Sequence, residues 1–251
     1  GSGTKWFSFE GTGPEQHQPF SRPLSLGSNK AVFVEDNVIE NTDVRENTDG
    51  WNDAYAGARY VWRYNTHLGC PAELGHHGAD SGNARGVISA EIYSNRFTQT
   101  RQCNYKTRGL FFRSGTGVVF DNTWTGEGYY PGMELTNYRS DGITIYPPWG
   151  TCNGSSPWDG NVPGENGWPC LDQIGHVFGP KVGGISTSEP LYGWNNTWNG
   201  QISRFYAETT NHKSDRHIKE GRDFFNETRR PGYTPYTYPH PLQRATTPVA
   251  P

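Results

Sequence analysis

The sequence predicts an all-β solenoid, and three observations carry that expectation. The first is a recurring phrase: Val34-Glu35-Asp36-Asn37-Val38-Ile39 returns as Trp62-Arg63-Tyr64-Asn65-Thr66-His67 and Ile92-Tyr93-Ser94-Asn95-Arg96-Phe97. It appears again as Val119-Phe120-Asp121-Asn122-Thr123-Trp124 and late as Gly193-Trp194-Asn195-Asn196-Thr197-Trp198. The second is the spacing, 28, 30, 27 and 74 residues between successive asparagines. That spacing implies one strand-like phrase per repeat, with room for about three turns in the last interval. The third is alternation. Val34, Trp62, Ile92 and Val119 before the asparagine, and Ile39, His67, Phe97, Trp124 and Trp198 after it, are mostly large and inward in pattern. Glu35, Arg63, Tyr93, Phe120 and Trp194 form the mixed, outward column between them. A period of two is the signature of a strand.

The asparagines themselves, Asn37, Asn65, Asn95, Asn122 and Asn196, stand where each strand bends. A primary amide has two donors and an acceptor, so stacked copies can bond amide to amide from one repeat to the next. Asparagine is also an ordinary turn residue. Repetition at a single register favours the ladder.

Three further phrases extend the pattern: Asn52-Asp53-Ala54-Tyr55 through Gly57-Ala58-Arg59-Tyr60-Val61-Trp62, His77-Gly78 through Arg85-Gly86 to Glu91-Ile92-Tyr93, and the ending Gly232-Tyr233-Thr234-Pro235-Tyr236-Thr237-Tyr238-Pro239-His240-Pro241-Leu242. With these the chain resembles right-handed parallel β-helix repeat proteins, in a secreted bacterial branch without a settled function. The resemblance implies a right-handed parallel β-helix with long loop insertions and terminal arms. It informs fold far more than chemistry.

Composition sets the outer limits. Charged residues make up 19% of 251, while Gly, Trp and Tyr are abundant, which suits strands and turns and argues against a helical protein. A net charge of −3 gives no reason to expect nucleic acid, and no apolar run is long enough to span a membrane. The chain opens on Gly1-Ser2-Gly3 without Met, which fits removal of a signal peptide or an expression scar. The four cysteines Cys70, Cys103, Cys152 and Cys170 lack zinc-site spacing, so no metal site is expected from them. The expected pairings are Cys70–Cys103, linking loops one repeat apart, and Cys152–Cys170. Sequons at Asn153, Asn195 and Asn226 are compatible with a secreted, glycosylated chain.

Taken in order, residues 1–30 read as an N-terminal arm or cap, 31–230 as the solenoid, and 231–251 as a Pro/Tyr-rich C-terminal arm. The acidic stretch from Glu40 to Asp49 offers hard oxygen ligands, so calcium is compatible with it, although a solvated loop explains it better. The loop 70–85 carries Glu73, His76, His77 and Asp80. Such a cluster suits acid/base chemistry, or simply braces the loop. Gly115 and Gly117 allow a tight corner between sheets. Arg85, Glu91, Arg108 and Arg113 suggest a polar row. An insertion at about residues 127–170 breaks the rhythm, with Tyr129, Tyr130, Trp149, Trp158 and Trp168 as candidates for stacking on sugar rings or for a small core of their own. Short strands are expected at Met133–Thr136, Ile143–Tyr146, Leu171–Phe178 and Ile202–Tyr206.

Two functions follow. One is a secreted or surface structural, adhesive subunit, self-associating through its arms, with Tyr233, Tyr236 and Tyr238 as anchors, and contacting polysaccharide. The other is a polysaccharide lyase or glycoside hydrolase with its groove along one face; His77, Asp80, Arg85, Glu91 and Arg113 are its candidate residues. No compact carboxylate pair is evident, which favours the first.

Overall fold

A computed structural model describes residues 7–10, 24–44, 50–75, 77–78, 85–138, 170, 172–178 and 186–244, with backbone alone at 7–10, 178, 186 and 244. The described chain is all-β and mostly parallel. Three six-stranded sheets, here A, B and C, carry the architecture.

From Val32 onward the chain visits the sheets in fixed rotation. Val32–Glu35 lies in sheet B, Val38–Asn41 in C and Asn52–Tyr55 in A. The cycle then repeats through Arg59–Arg63, Thr66–Gly69 and Leu74–Gly75, and through Ser89–Tyr93, Arg96–Gln99 and Leu110–Phe112. It continues through Thr116–Phe120, Thr123–Thr125 and Met133–Leu135, then Leu191–Trp194, Thr197–Trp198 and Phe205–Ala207, and ends at Phe224–Asn226 in sheet B. Each strand pairs in parallel with its counterpart one cycle away, as Val34 with Trp62 and Trp62 with Ile92. Parallel neighbours need a long crossover, and one full cycle supplies it.

The corner from sheet B to sheet C is two residues long in every cycle. Its first residue is left-handed: Asp36, Tyr64, Ser94, Asp121 and Asn195 have φ of 59°, 56°, 57°, 55° and 53°. Its second is the repeated asparagine. Asn37 Nδ2 donates to Asn65 Oδ1 at 2.9 Å, Asn65 to Asn95 at 3.1 Å, Asn95 to Asn122 at 2.9 Å and Asn122 to Asn196 at 2.9 Å. Each oxygen also accepts the backbone N–H of the asparagine one cycle earlier, at 3.0–3.2 Å. The other amide proton of Asn65, Asn95, Asn122 and Asn196 reaches the carbonyls of Val34, Trp62, Ile92 and Val119. The left-handed corner costs of order 1 kcal/mol for a non-glycine residue, and these bonds hold it in place.

Apolar side chains fill the space among the sheets, with Trp51, Trp62, Ile92, Phe97, Leu110, Phe112, Val119, Trp124 and Phe205 in one buried cluster. The inward column after the asparagine stacks ring on ring: His67 on Phe97 at 4.4 Å and Phe97 on Trp124 at 5.1 Å, nearly parallel. His67 is fully buried and accepts the Trp62 indole N–H at Nε2 (3.0 Å), while its Nδ1 has no hydrogen-bond partner. Burial pushes its pKa down to about 3. At the corner from sheet A to sheet B, Gly115 and Gly117 take φ of 70° and 149°. A Cβ at Gly117 would lie 1.8 Å from the Ala90 carbonyl oxygen.

Two expectations need correction. The 74-residue interval holds one cycle, not three, because Thr123 pairs directly with Thr197 and Asn122 bonds directly to Asn196. The extra residues form an insertion after sheet A instead; within it His176–Phe178 pairs antiparallel with Ser186–Ser188. The expected strand Ile202–Tyr206 is divided. Gln201–Ile202 folds back antiparallel on Thr197–Trp198 around Asn199-Gly200, and Phe205–Ala207 belongs to sheet A. Within the expected N-terminal arm or cap, Phe7–Glu10 forms a strand that pairs with Asn52–Tyr55 at the edge of sheet A. The expected strand Ile143–Tyr146 lies outside the described residues.

Candidate functional site

Sheet A turns Leu74, Leu110, Phe112, Met133, Leu135 and Phe205 inward. Period-two alternation therefore turns Phe111, Glu134 and Tyr206 outward, and they are direct neighbours in the register. A short strand beside the sheet, Thr107–Arg108, pairs with Tyr129–Tyr130 and brings Arg108 to the row. Arg108 Nε donates to Glu134 Oε2 at 2.6 Å, and the Tyr206 hydroxyl donates to the same oxygen at 2.9 Å. Arg108 Nη1 lies 3.5 Å from Glu73 Oε2, which accepts no hydrogen bond. Burial raises the Glu73 carboxyl above its ordinary value, against the pull of Arg108 and Arg113. Tyr130, half exposed, stands opposite Arg108, and Tyr206 is 38% exposed beside Glu134.

A second set adjoins the first. His77 Nε2 lies 2.8 Å from Asp53 Oδ1, and its Nδ1 meets the Arg113 guanidinium. An arginine can only donate, so Nδ1 accepts and Nε2 carries the proton toward Asp53. Both ring nitrogens are thereby engaged. Arg113 also covers Phe111 and Tyr138, at 5.6 and 4.6 Å from the ring centres, and Tyr138 stacks on His212 at 4.1 Å. Arg108 lies on the Phe111 ring at 4.5 Å. The face is a row of flat rings and guanidinium groups with carboxylates locked between them.

The outer face of sheet B is organised differently, because the segment after the last strand runs over it. Tyr93, Phe120 and Trp194 stack at 4.6 and 4.4 Å. Across this column the Tyr233 hydroxyl donates to Glu91 Oε2 at 2.5 Å, and Gly27 N–H donates to Glu91 Oε1 at 2.9 Å. Buried Arg63 donates to Glu35 and to the carbonyls of Tyr236 and Thr237. Tyr238 rests on Tyr64 at 3.8 Å and donates to Asp36.

These positions revise several sequence assignments. Glu91, a catalytic candidate, is closed in by Gly27 and Tyr233, and burial raises its carboxyl above the ordinary value. Arg85 is buried in a bidentate pair with Asp172, which also accepts Gly86 N–H; the pair ties the insertion to the cycle and leaves Arg85 no substrate to meet. Tyr129, a candidate for stacking on sugar, is 2% exposed and belongs to the core. Tyr233, Tyr236 and Tyr238, expected as anchors of self-association, contact sheet B of their own chain. Asn226 Oδ1 accepts Phe205 N–H, and its Nδ2 donates to Phe205 O and Glu220, so glycosylation there would take the proton of one of the last two bonds. Asn195 is exposed at its left-handed corner, bonded to Asp121.

Cys70 and Cys103 form a disulfide, and Cys170 is also disulfide-bonded. Asp80, Trp149, Cys152, Asn153, Trp158 and Trp168 lie outside the described residues. So do Arg45–Asp49, the second half of the acidic stretch considered for calcium. Among the described residues no group of His, Cys, Asp and Glu could hold a metal ion, and no helix is long and apolar enough to cross a membrane.

Sequence reasoning missed Glu134, Tyr206 and Asp172. Met133-Glu134-Leu135 did carry a signal for the first, an acidic residue flanked by two apolar ones in a short strand. No protein-family model, curated protein or solved structure matches the chain.

Proposed function

We propose that the three-sheet cycles wind as a right-handed parallel β-helix serving as a secreted or surface structural module, with the outer face of sheet A contacting a glycan. The observation that carries the reading is the placement of two exposed rings, Tyr130 and Tyr206, on either side of the bonded Arg108–Glu134 pair. A pyranose offers an apolar C–H face to a ring and hydroxyls to its neighbours, and fixed polar partners between aromatic groups match both. His77, with both nitrogens engaged, suits positioning more than proton transfer. Disulfides support an oxidising compartment. Affinity electrophoresis through gels cast with single polysaccharides tests the reading. The wild-type chain is expected to be retarded by at least one, Tyr130→Ala to migrate freely with unchanged melting, and Tyr206→Ala to migrate freely with a lowered melting temperature, since Glu134 loses its bond from the hydroxyl. Equal migration of all three chains in every gel would overturn it.

One observation favours catalysis as a second reading. Glu73 Oε2 meets the Arg108 guanidinium only at the long distance of 3.5 Å, and burial raises its carboxyl, with a smaller contribution from the Glu134 charge. A carboxyl held toward its protonated form beside a second carboxylate is the arrangement of a glycosidase acid. Loss of polysaccharide cleavage in Glu73→Gln, with binding intact, would select it.

A further inference from the structure

The C-terminal segment contributes no strand to the three main sheets. It leaves sheet B after Phe224–Asn226, passes Arg230 bonded to Glu189 and the Pro190 carbonyl, and crosses Glu91 before reaching Arg63. It ends at Glu35 and Asp36 of the first cycle. It thus runs the length of the sheet as a strap, held by what the groove reads from it. The groove reads main chain through the Arg63 fork, which takes the Tyr236 and Thr237 carbonyls, and through Glu35, which takes His240 N–H. It reads tyrosine hydroxyls through Glu91 and Asp36. Phe33 packs against both Tyr236 and His240. The proline rings at Pro231, Pro235, Pro239 and Pro241 fix φ at four points along the segment, so less chain entropy is lost on docking.

Two features bear on whether the strap must be the chain's own. Glu227, Thr228 and Arg229, which join it to the last strand, are exposed, and a Cβ at Gly232 would meet nothing within 4 Å. At the far end, the helical turn Pro241–Arg244 and the first strand of sheet B leave a cavity of about 570 Å³ between Phe33, Asn37, His240 and Leu242. The connection is open at one end and the fit is loose at the other. Removing the strap would uncover the cluster of Val61, Tyr93, Val118, Phe120 and Trp194, so the groove favours being filled.

We propose that the outer face of sheet B is a recognition groove for the Pro/Tyr strap, and that the strap of a second copy fills it by exchange, linking chains through identical contacts. The second copy is the occupant because its strap satisfies every bond named above, and only the path of the exposed connection changes. This inference is independent of the glycan-contacting face.

Two full-length single-substitution chains, Tyr64→Cys and Tyr238→Cys, one of them carrying an added mass tag, provide the test. Neither chain can join these two sites within itself. Mixed at high concentration and resolved without reductant, they are expected to give a covalent heterodimer that rises with concentration and falls when a synthetic peptide of residues 228–244 is added in excess. The double variant in one chain reports whether the two positions can close. If it closes and the mixture yields no heterodimer at any concentration, exchange is excluded. If it does not close, sedimentation of the wild-type chain decides: a concentration-dependent dimer supports exchange, and a strict monomer throughout overturns it.

Discussion

Replacing Asn95 by Ala removes one rung from the middle of the asparagine ladder. The side chain makes five bonds in a fully buried site. Oδ1 accepts from Asn65 N–H at 3.0 Å and Asn65 Nδ2 at 3.1 Å; Nδ2 donates to Trp62 O, Tyr93 O and Asn122 Oδ1 at 2.8, 3.1 and 2.9 Å. Not all of these losses count equally. Asn65 Nδ2 keeps the Val34 carbonyl, and Asn122 Oδ1 keeps the Asn95 backbone N–H. The Asn65 N–H and the Trp62 carbonyl lose the amide that served them. At about 1–3 kcal/mol for each buried group left unsatisfied, the expected loss is about 2–6 kcal/mol. Asn37→Ala is the matched control: it sits half-buried at the open end of the ladder and donates to Glu35 O and Asn65 Oδ1. Its cost should stay near 1 kcal/mol. Urea unfolding of the three chains measures the difference. Equal midpoints for Asn95→Ala and Asn37→Ala would refute the ladder as a source of stability.

Two further predictions rest on other interior groups. His67, held near pKa 3 by burial, refuses a proton that the unfolded chain accepts below its ordinary value of 6.5. Stability should therefore fall as pH drops through that window, by about 3 kcal/mol between pH 7 and pH 4. His67→Phe should flatten this slope while costing about 1–3 kcal/mol at neutral pH for the stranded Trp62 indole N–H; an unchanged slope in urea melts would refute the assignment. Cys103→Ser opens a loop with a sequence separation of 33 and should cost about 3–4 kcal/mol by the chain-entropy relation. A midpoint equal to wild type would count against it.

Much of the architecture was legible because one residue type has to bridge successive cycles, so the asparagines mark the register. Gly115 and Gly117 were legible for a similar reason, since their corner leaves no room for a Cβ. The number of cycles was not, because an insertion adds residues without adding a turn. Trp198-Asn199-Gly200-Gln201 did hold a readable hairpin signal, an Asn-Gly pair at φ of 46° and 77°, that would have divided the expected strand correctly. Tyr129 and Tyr130 look alike in sequence, yet adjacent strand residues face opposite ways, and only the pairing with Thr107–Arg108 shows which faces out. Composition indicated that the C-terminal segment is extended. It carried no sign of what the segment lies against, since Glu91 and Arg63 are 142 and 173 residues from their partners.

The face bearing Arg108, Glu134, Tyr130 and Tyr206 is proposed to hold a glycan without cleaving it. Incubation with a panel of acidic and neutral polysaccharides tests it most directly, following retention on the polymer together with new reducing ends and the ultraviolet absorbance of unsaturated products. Retention on at least one polysaccharide, with no products over prolonged incubation, is expected. Product release by the wild-type chain that disappears in Glu73→Gln would contradict it.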